Sequence, residues 1–269
     1  MPANSESAPP GYGTVQFALK VQNANIEVRA QLPEGPVSPT VLLPVLQSLS
    51  NSLCDLTVQT ASGLGEQLSC REGCGACCRQ AVPISPVEAR AIAEWLDNQP
   101  EERQAILRER FRNAVAQLDD SGIVQEIRDR KDLTDRGAMH ELGLRYFALG
   151  IACPFLEDER CTIHEMRPLR CREYLVVSPA EQCAHPSTKQ IVGIKPPVLL
   201  SQILAKWDAN GDAQPGELIL LTMLEEWVTR HPEEQDRPHR TSPELLQEFL
   251  RAFAKDAATA PSDPRGTPG

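Results

Sequence analysis

The stretch "CREGCGACC", residues 70–78, puts four of the chain's nine cysteines into nine residues: Cys70, Cys74, Cys77 and Cys78. A second, wider set follows at Cys153, Cys161, Cys171 and Cys183. Thiolates are soft donors that suit zinc and iron–sulfur clusters. Ligands two or three residues apart let one tight loop aim several sulfurs at a single centre, and Gly73 and Gly75 free the backbone for that turn. Adjacent side chains such as Cys77 and Cys78 point in different directions, so they could serve two metals, or one could bind while the other stays free. Eight thiolates fill two four-coordinate sites, or one cluster with thiols to spare. Cys70, Cys74, Cys77, Cys78, Cys153, Cys161, Cys171 and Cys183 are thus the expected metal ligands, with iron–sulfur favoured over zinc. Cys54 stands apart in a predicted helix and reads as a small buried hydrophobe.

Competing chemistries fit less well. Cys70-x3-Cys74-x2-Cys77 matches the three-cysteine motif of radical S-adenosylmethionine enzymes. However, Ala76 replaces the usual aromatic residue, and the next 70 residues look helical rather than alternating strand and helix. A disulfide framework is disfavoured by the odd cysteine count and by an expected cytoplasmic, reducing location. "DANGDAQPGELI", residues 208–219, echoes a calcium loop through Asp208, Asn210 and Asp212. Ala213 stands where that loop needs glycine and Ile219 where it needs a bidentate glutamate, so a helix-to-helix turn is expected. His164, three residues after Cys161, and His185, two after Cys183, read as polar or solvated residues rather than ligands. Arg167, Arg170 and Arg172 surround Cys171. They could offset the charge of a thiolate cluster, or pair with the acidic run Glu157, Asp158 and Glu159.

"CREGCGACC" followed by "CPFLEDERCTIHEMRPLRCREY" resembles the YkgJ-like CxxCxxCC cysteine-cluster family over about residues 70–183. The resemblance implies metal binding, as an iron–sulfur cluster or zinc, through the same eight cysteines. It places the family's "RP…CR" stretch on Arg167, Pro168, Cys171 and Arg172. His164 departs from the family's usual Tyr or Phe. Flagellin lysine N-methylase carries a similar pattern, which implies methyl transfer to a protein lysine as an alternative. No Gly-rich strand-to-helix turn for a nucleotide cofactor supports that activity locally.

The bulk properties narrow the partners. With 27 Lys+Arg against 37 Asp+Glu, the net charge of -10 argues against nucleic-acid binding. No apolar window approaches the roughly 20 residues of a membrane span, so no membrane partner is expected. An unidentified protein or redox partner remains.

The elements that must position the cysteines are mostly helical. "TVQFALKVQ" and "NIEVRAQL" alternate and predict a hairpin around Asn23, Ala24 and Asn25. Leu42, Leu46, Leu49, Leu53 and Leu56 recur at helical spacing up to about Ala61, with Pro44 near the start. Ser85, Pro86 and Glu88 predict a capped helix start, and another helix follows Pro100. "GIVQEIRDRKDL", "AMHELGLRYFAL", "PVLLSQILAKW", "GELILLTMLEEWVTR" and "SPELLQEFLRAFAKD" read as further helices, the last beginning at Ser242-Pro243. The expected fold is α+β and mostly helical, with a small N-terminal hairpin and a loop-built cysteine metal site. The expected divisions are a disordered tail over 1–12, a hairpin and helix over 13–68, the metal-binding domain over 69–190, C-terminal helices over 191–257 and a tail over 258–269. A metal would close residues 79–152 as a helical insertion, coupling binding to folding. Three functional classes remain: a cluster-bearing redox or catalytic protein, a protein-lysine methyltransferase, or a structural zinc module that binds a partner.

Overall fold

A computed structural model describes residues 11–21, 24–129, 135–186, 189–207, 219–232 and 240–258. Most of both expected tails, and residues 208–218 of the calcium-like stretch, lie outside the described residues. In chain order the first elements are β1 (Tyr12–Val21), β2 (Ala24–Pro33), β3 (Pro36–Val37) and α1 (Leu43–Gly63). Then come β4 (Pro83–Ile84), α2 (Pro86–Asp97), α3 (Glu101–Asp120), α4 (Ile123–Asp129) and α5 (Arg136–Ala148). The cysteine-rich stretch contributes β5 (Leu156–Glu157), β6 (Arg160–Cys161), α6 (Leu169–Arg172) and β7 (Leu175–Val176). The chain continues through β8 (Gly193–Ile194), α7 (Leu200–Lys206), β9 (Ile219–Leu220), α8 (Leu224–Arg230), β10 (Arg240–Thr241) and α9 (Ser242–Ala257). The fold is the expected mostly helical α+β arrangement, with strands in small antiparallel pairs.

β1 and β2 form the N-terminal hairpin, in unbroken register from Tyr12↔Pro33 to Val21↔Ala24. Ala24 and Asn25 therefore belong to the second strand rather than to the turn. Alternation turns Phe17, Leu19, Val28 and Leu32 inward and leaves Gln16, Lys20, Glu27 and Arg29 exposed. The inner face packs on α1, α7 and α9 in one core that includes Leu46, Leu49, Leu53, Trp207 and Phe249. Each fully buried leucine there is worth about 1.5–3 kcal/mol.

The segment Pro39–Gly63 corrects one expectation. By length and composition alone it is apolar enough to cross a membrane, and 50% of its apolar window is buried inside the protein. A second core joins α2, α3 and α8 to Phe155 and Ile163 of the cysteine-rich stretch. A third joins the end of α3 to α4, α5, Leu220 and Met223.

Two helix starts show local chemistry at work. Ser85 caps α2 by accepting from Glu88 N–H at 3.2 Å, and the Glu88 carboxylate accepts from Ser85 N–H at 2.9 Å. The cap of α9 is Thr241, one residue before the expected Ser242. Glu244 accepts from the Thr241 N–H and hydroxyl, both at 2.8 Å. The buried Ser242 hydroxyl donates instead to Pro33 O at 2.7 Å. "GELILLTMLEEWVTR" is not one helix: Ile219 and Leu220 pair with Ile84 and Pro83, and α8 starts at Leu224.

Candidate metal centre

The first cysteine loop is anchored before it begins, as Ser69 N–H donates to Val176 O at 2.8 Å. Cys70 is exposed, and its Sγ lies 3.9 Å from Tyr174 O. A turn at 71–74, with Gly73 at φ 78°, closes through Cys74 N–H to Arg71 O at 3.2 Å. A single 3-10 turn, Ala76–Arg79, then carries Cys77 and Cys78.

The second set comes to the first from several elements. Cys153 follows Gly150, whose φ of 67° reverses the chain after α5. Cys153 N–H donates to Cys78 O at 2.7 Å. Cys161 lies on β6 opposite Leu156, whose N–H returns to Cys153 O at 2.9 Å. Cys171 lies on α6, and the buried Cys183 lies on the 3-10 turn Ala180–Ala184, which packs against the turn of Cys77 and Cys78.

The thiols fall into two neighbourhoods. Burial pushes the Cys171 thiol well up, and the nearby sulfurs of Cys153, Cys77 and Cys161 add to it. Burial likewise raises Cys153 to about 12, with Cys161 and Cys77 beside it. On the outer side, burial raises Cys183 to about 11, followed by the influence of Cys70, Cys74 and Cys77. Cys77 belongs to both groups. A hydrogen bond with the Cys78 thiol lowers Cys77 and raises Cys78. Among the described residues, no three Cys, His, Asp or Glu side chains stand in ligating geometry around one point. All nine cysteines are free. Cys54 is buried on α1, donates to Arg172 O at 3.5 Å and stands apart from both groups. His164 and His185 are on the surface.

The arginines near Cys171 do not pair with the acidic run. Glu157 is held by Arg103 at 2.5 Å and Arg110 at 2.7 Å, and Glu159 by Arg79. Arg172 is buried and clamps the chain around the segment that carries Cys171. Its Nε donates to Arg167 O at 3.0 Å, one Nη to Asn51 Oδ1 at 2.9 Å, and the other to Glu165 O. The Arg167 Nε is buried without a hydrogen-bond partner, and its charge favours the thiolates of Cys77 and Cys161. An orphaned guanidinium nitrogen beside a set of soft sulfur donors fits an anionic thiolate–metal centre.

Several supporting residues escape sequence reasoning. Arg79 grips Glu159 with two hydrogen bonds, at 3.0 and 2.6 Å, and also donates to Gly75 O at 3.0 Å. Glu159 and Asp158 form the β5–β6 loop with φ of 58° and 48°. A Cβ on Gly75 would collide with the Glu159 carboxylate and stand 2.9 Å from Leu156 Cδ1. The absence of a side chain at Gly75 thus lets the hairpin lie against the first cysteine loop. Gln80 donates to the Tyr174 hydroxyl at 3.0 Å. The buried Glu88 carboxylate also accepts from Leu169 N–H at 2.7 Å, holding the start of the helix that bears Cys171. Arg79 and Gly75 had a local signal in their places beside the cysteines. Glu88 had a signal only for its cap on α2, and the site contacts of Glu88 and Tyr174 had none, because their partners lie 81 and 94 residues away.

Residues 69–191 match the model of the CxxCxxCC family, described as a "putative zinc- or iron-chelating domain". It is the family that the cysteine spacing resembles, and its span holds both cysteine sets. No curated protein and no solved structure matches the chain.

Proposed function

We propose that the domain matched by this chelating family holds an iron–sulfur cluster or zinc through Cys70, Cys74, Cys77, Cys78, Cys153, Cys161, Cys171 and Cys183. The observation that carries the proposal is the unpartnered Arg167 Nε, whose charge acts on Cys77 and Cys161, in a cluster where desolvation raises the Cys153 and Cys171 thiols. A cation offsets the cost of ionising such thiols, and Arg167 then faces the negative charge it lacks a partner for. Metal binding would draw the sulfurs inward from their present positions. The two neighbourhoods suggest an inner group of Cys78, Cys153, Cys161 and Cys171 and an outer group of Cys70, Cys74 and Cys183, with Cys77 between them.

We favour iron–sulfur, which would supply one-electron redox chemistry when bound. Arg167 would tune such a centre by its charge, and the exposed Cys70 side would face a redox partner protein. Nine free thiols suit a reducing compartment such as the cytoplasm. The test is metal and sulfide analysis with a visible spectrum on anaerobically purified protein. Iron, sulfide and charge-transfer colour are expected. Colourless protein with zinc would keep the chelation and remove the redox role. Protein that binds neither metal would end the proposal.

A further inference from the structure

Among the described residues, the outer edge of β2 is unpaired, and its sequence is self-complementary. Glu34 N–H donates to Gly11 O at 2.8 Å, which sets the parity of the hairpin ladder. In an antiparallel pair, hydrogen-bonded and non-hydrogen-bonded positions alternate. Counting back from Glu34, the backbone groups of Pro33, Gln31, Arg29, Glu27 and Asn25 face away from β1. The Pro33 carbonyl agrees, because it is taken from outside the hairpin by Ser242. Among the described residues, no partner meets the edge between Asn25 and Gln31.

Natural edge strands are blunted by proline, bulges or like charges that repel another strand. β2 has none of these from Ala24 to Leu32, and its register with β1 is unbroken. Its charges instead alternate in sign at Glu27 and Arg29, both exposed. Within the hairpin, Glu27 lies opposite Ala18 and Arg29 opposite Gln16, so neither has a charged residue directly across. No ion pair involves either among the described residues.

We infer that this edge pairs with the same edge of a second copy, in antiparallel register centred on Val28, making a two-fold dimer with a four-stranded sheet. In that register Glu27 lies opposite the second copy's Arg29, and Arg29 opposite its Glu27. Asn25 faces Gln31 in the same way. All four outward positions then exchange backbone hydrogen bonds, and two cross-strand ion pairs form. On the other face Val28 meets its own copy, and Ile26 lies opposite Ala30, continuing the apolar layer. The β1 edge lacks this complementarity. Its only charge is Lys20, with no acid to meet it in any antiparallel self-pairing. This inference is independent of the metal reading.

The test is the mass of the full chain in solution by light scattering, at several protein concentrations. Wild type is expected at twice the chain's 29.6 kDa. Glu27→Arg and Arg29→Glu each set like charges opposite one another and are expected at the single-chain mass. The double variant restores opposite signs and is expected to return to the dimer. An equimolar mixture of the two single variants is expected to dimerise, although neither does so alone. Arg29→Pro removes an outward N–H that the hairpin does not use, and it too is expected at the single-chain mass. A monomeric wild type at high concentration, or single variants that stay dimeric, would overturn the inference. Circular dichroism of each variant checks that a mass change is not loss of fold.

Discussion

Cys78 and Cys153 share a backbone hydrogen bond of 2.7 Å, although the whole of α2 to α5 lies between them in sequence. The two cysteine sets are therefore joined by main chain as well as by any metal. Cys161→Ser and Cys74→Ser are expected to lose most bound metal and to lower the melting temperature. Cys54→Ser is expected to keep the metal, because Cys54 faces Arg172 O and Ser50 rather than the other cysteines. Metal content after gel filtration decides. Retention in Cys161→Ser together with loss in Cys54→Ser would reverse the assignment.

Gly75→Ala tests the close approach of the β5–β6 hairpin. The new Cβ must push aside both Glu159 and Leu156, and overpacking of this kind costs about 1–3 kcal/mol. We expect a lower denaturant midpoint and faster metal release to a chelator. Unchanged release would mean that the hairpin does not brace the first loop.

Glu159 carries two opposing effects. A non-glycine residue in the left-handed region costs about 1–2 kcal/mol, whereas a partly exposed ion pair returns about 0.2–1 kcal/mol. Glu159→Gly and Glu159→Gln both remove the pair with Arg79, but only the first relieves the backbone. Glu159→Gly is expected to be the more stable of the two by about 1 kcal/mol in urea unfolding. Equal stability would show that the turn is unstrained.

Glu157 gives the fold a component that acid removes. Hydrogen bonds from Arg103, then Arg110, hold its pKa below the ordinary 4.5. A depressed folded-state pKa stabilises above the unfolded value, and that stability disappears as pH falls through the folded one. The difference between wild type and Glu157→Gln should be at most about 1 kcal/mol at neutral pH, given the partial exposure. It should shrink on titration from pH 5 to about pH 3. A difference that stays constant with pH would exclude this linkage.

Arg172→Lys keeps the charge but loses the fork that reaches Asn51, Glu165 and Arg167. A compact ammonium cannot bond all three oxygens. The expected loss is about 1–3 kcal/mol in the unfolding free energy, with weaker metal retention, because partly buried acceptors are left unpaired.

Legibility in the sequence followed the range of the interaction. The Ser85–Glu88 cap spans three residues and could be read directly, as could the hairpin, from its alternation. The cap of α9 was misplaced by one residue, because the hydroxyl of Ser242 is claimed by Pro33, 209 residues away. Ile219 and Leu220 looked helical because their neighbours do. Their pairing with β4 is tertiary and leaves no periodic trace. Arginines beside the acidic run suggested local pairs, but α3 supplied Arg103 and Arg110 instead. The cysteines marked the candidate site, whereas braces such as Glu88 were hidden in distant elements.

The separation of the two cysteine sets also bears on how the protein is made. At about 5–20 residues per second, a ribosome delivers Cys183 about 6–23 s after Cys70. Through that interval the first thiols lack the partners that follow them. Cys70, Cys74, Cys77 and Cys78 therefore pass through a period open to oxidants and to stray metal ions. If all eight cysteines hold a metal as proposed, a cell would have to guard the nascent chain, or supply the metal only after the last cysteine has left the ribosome.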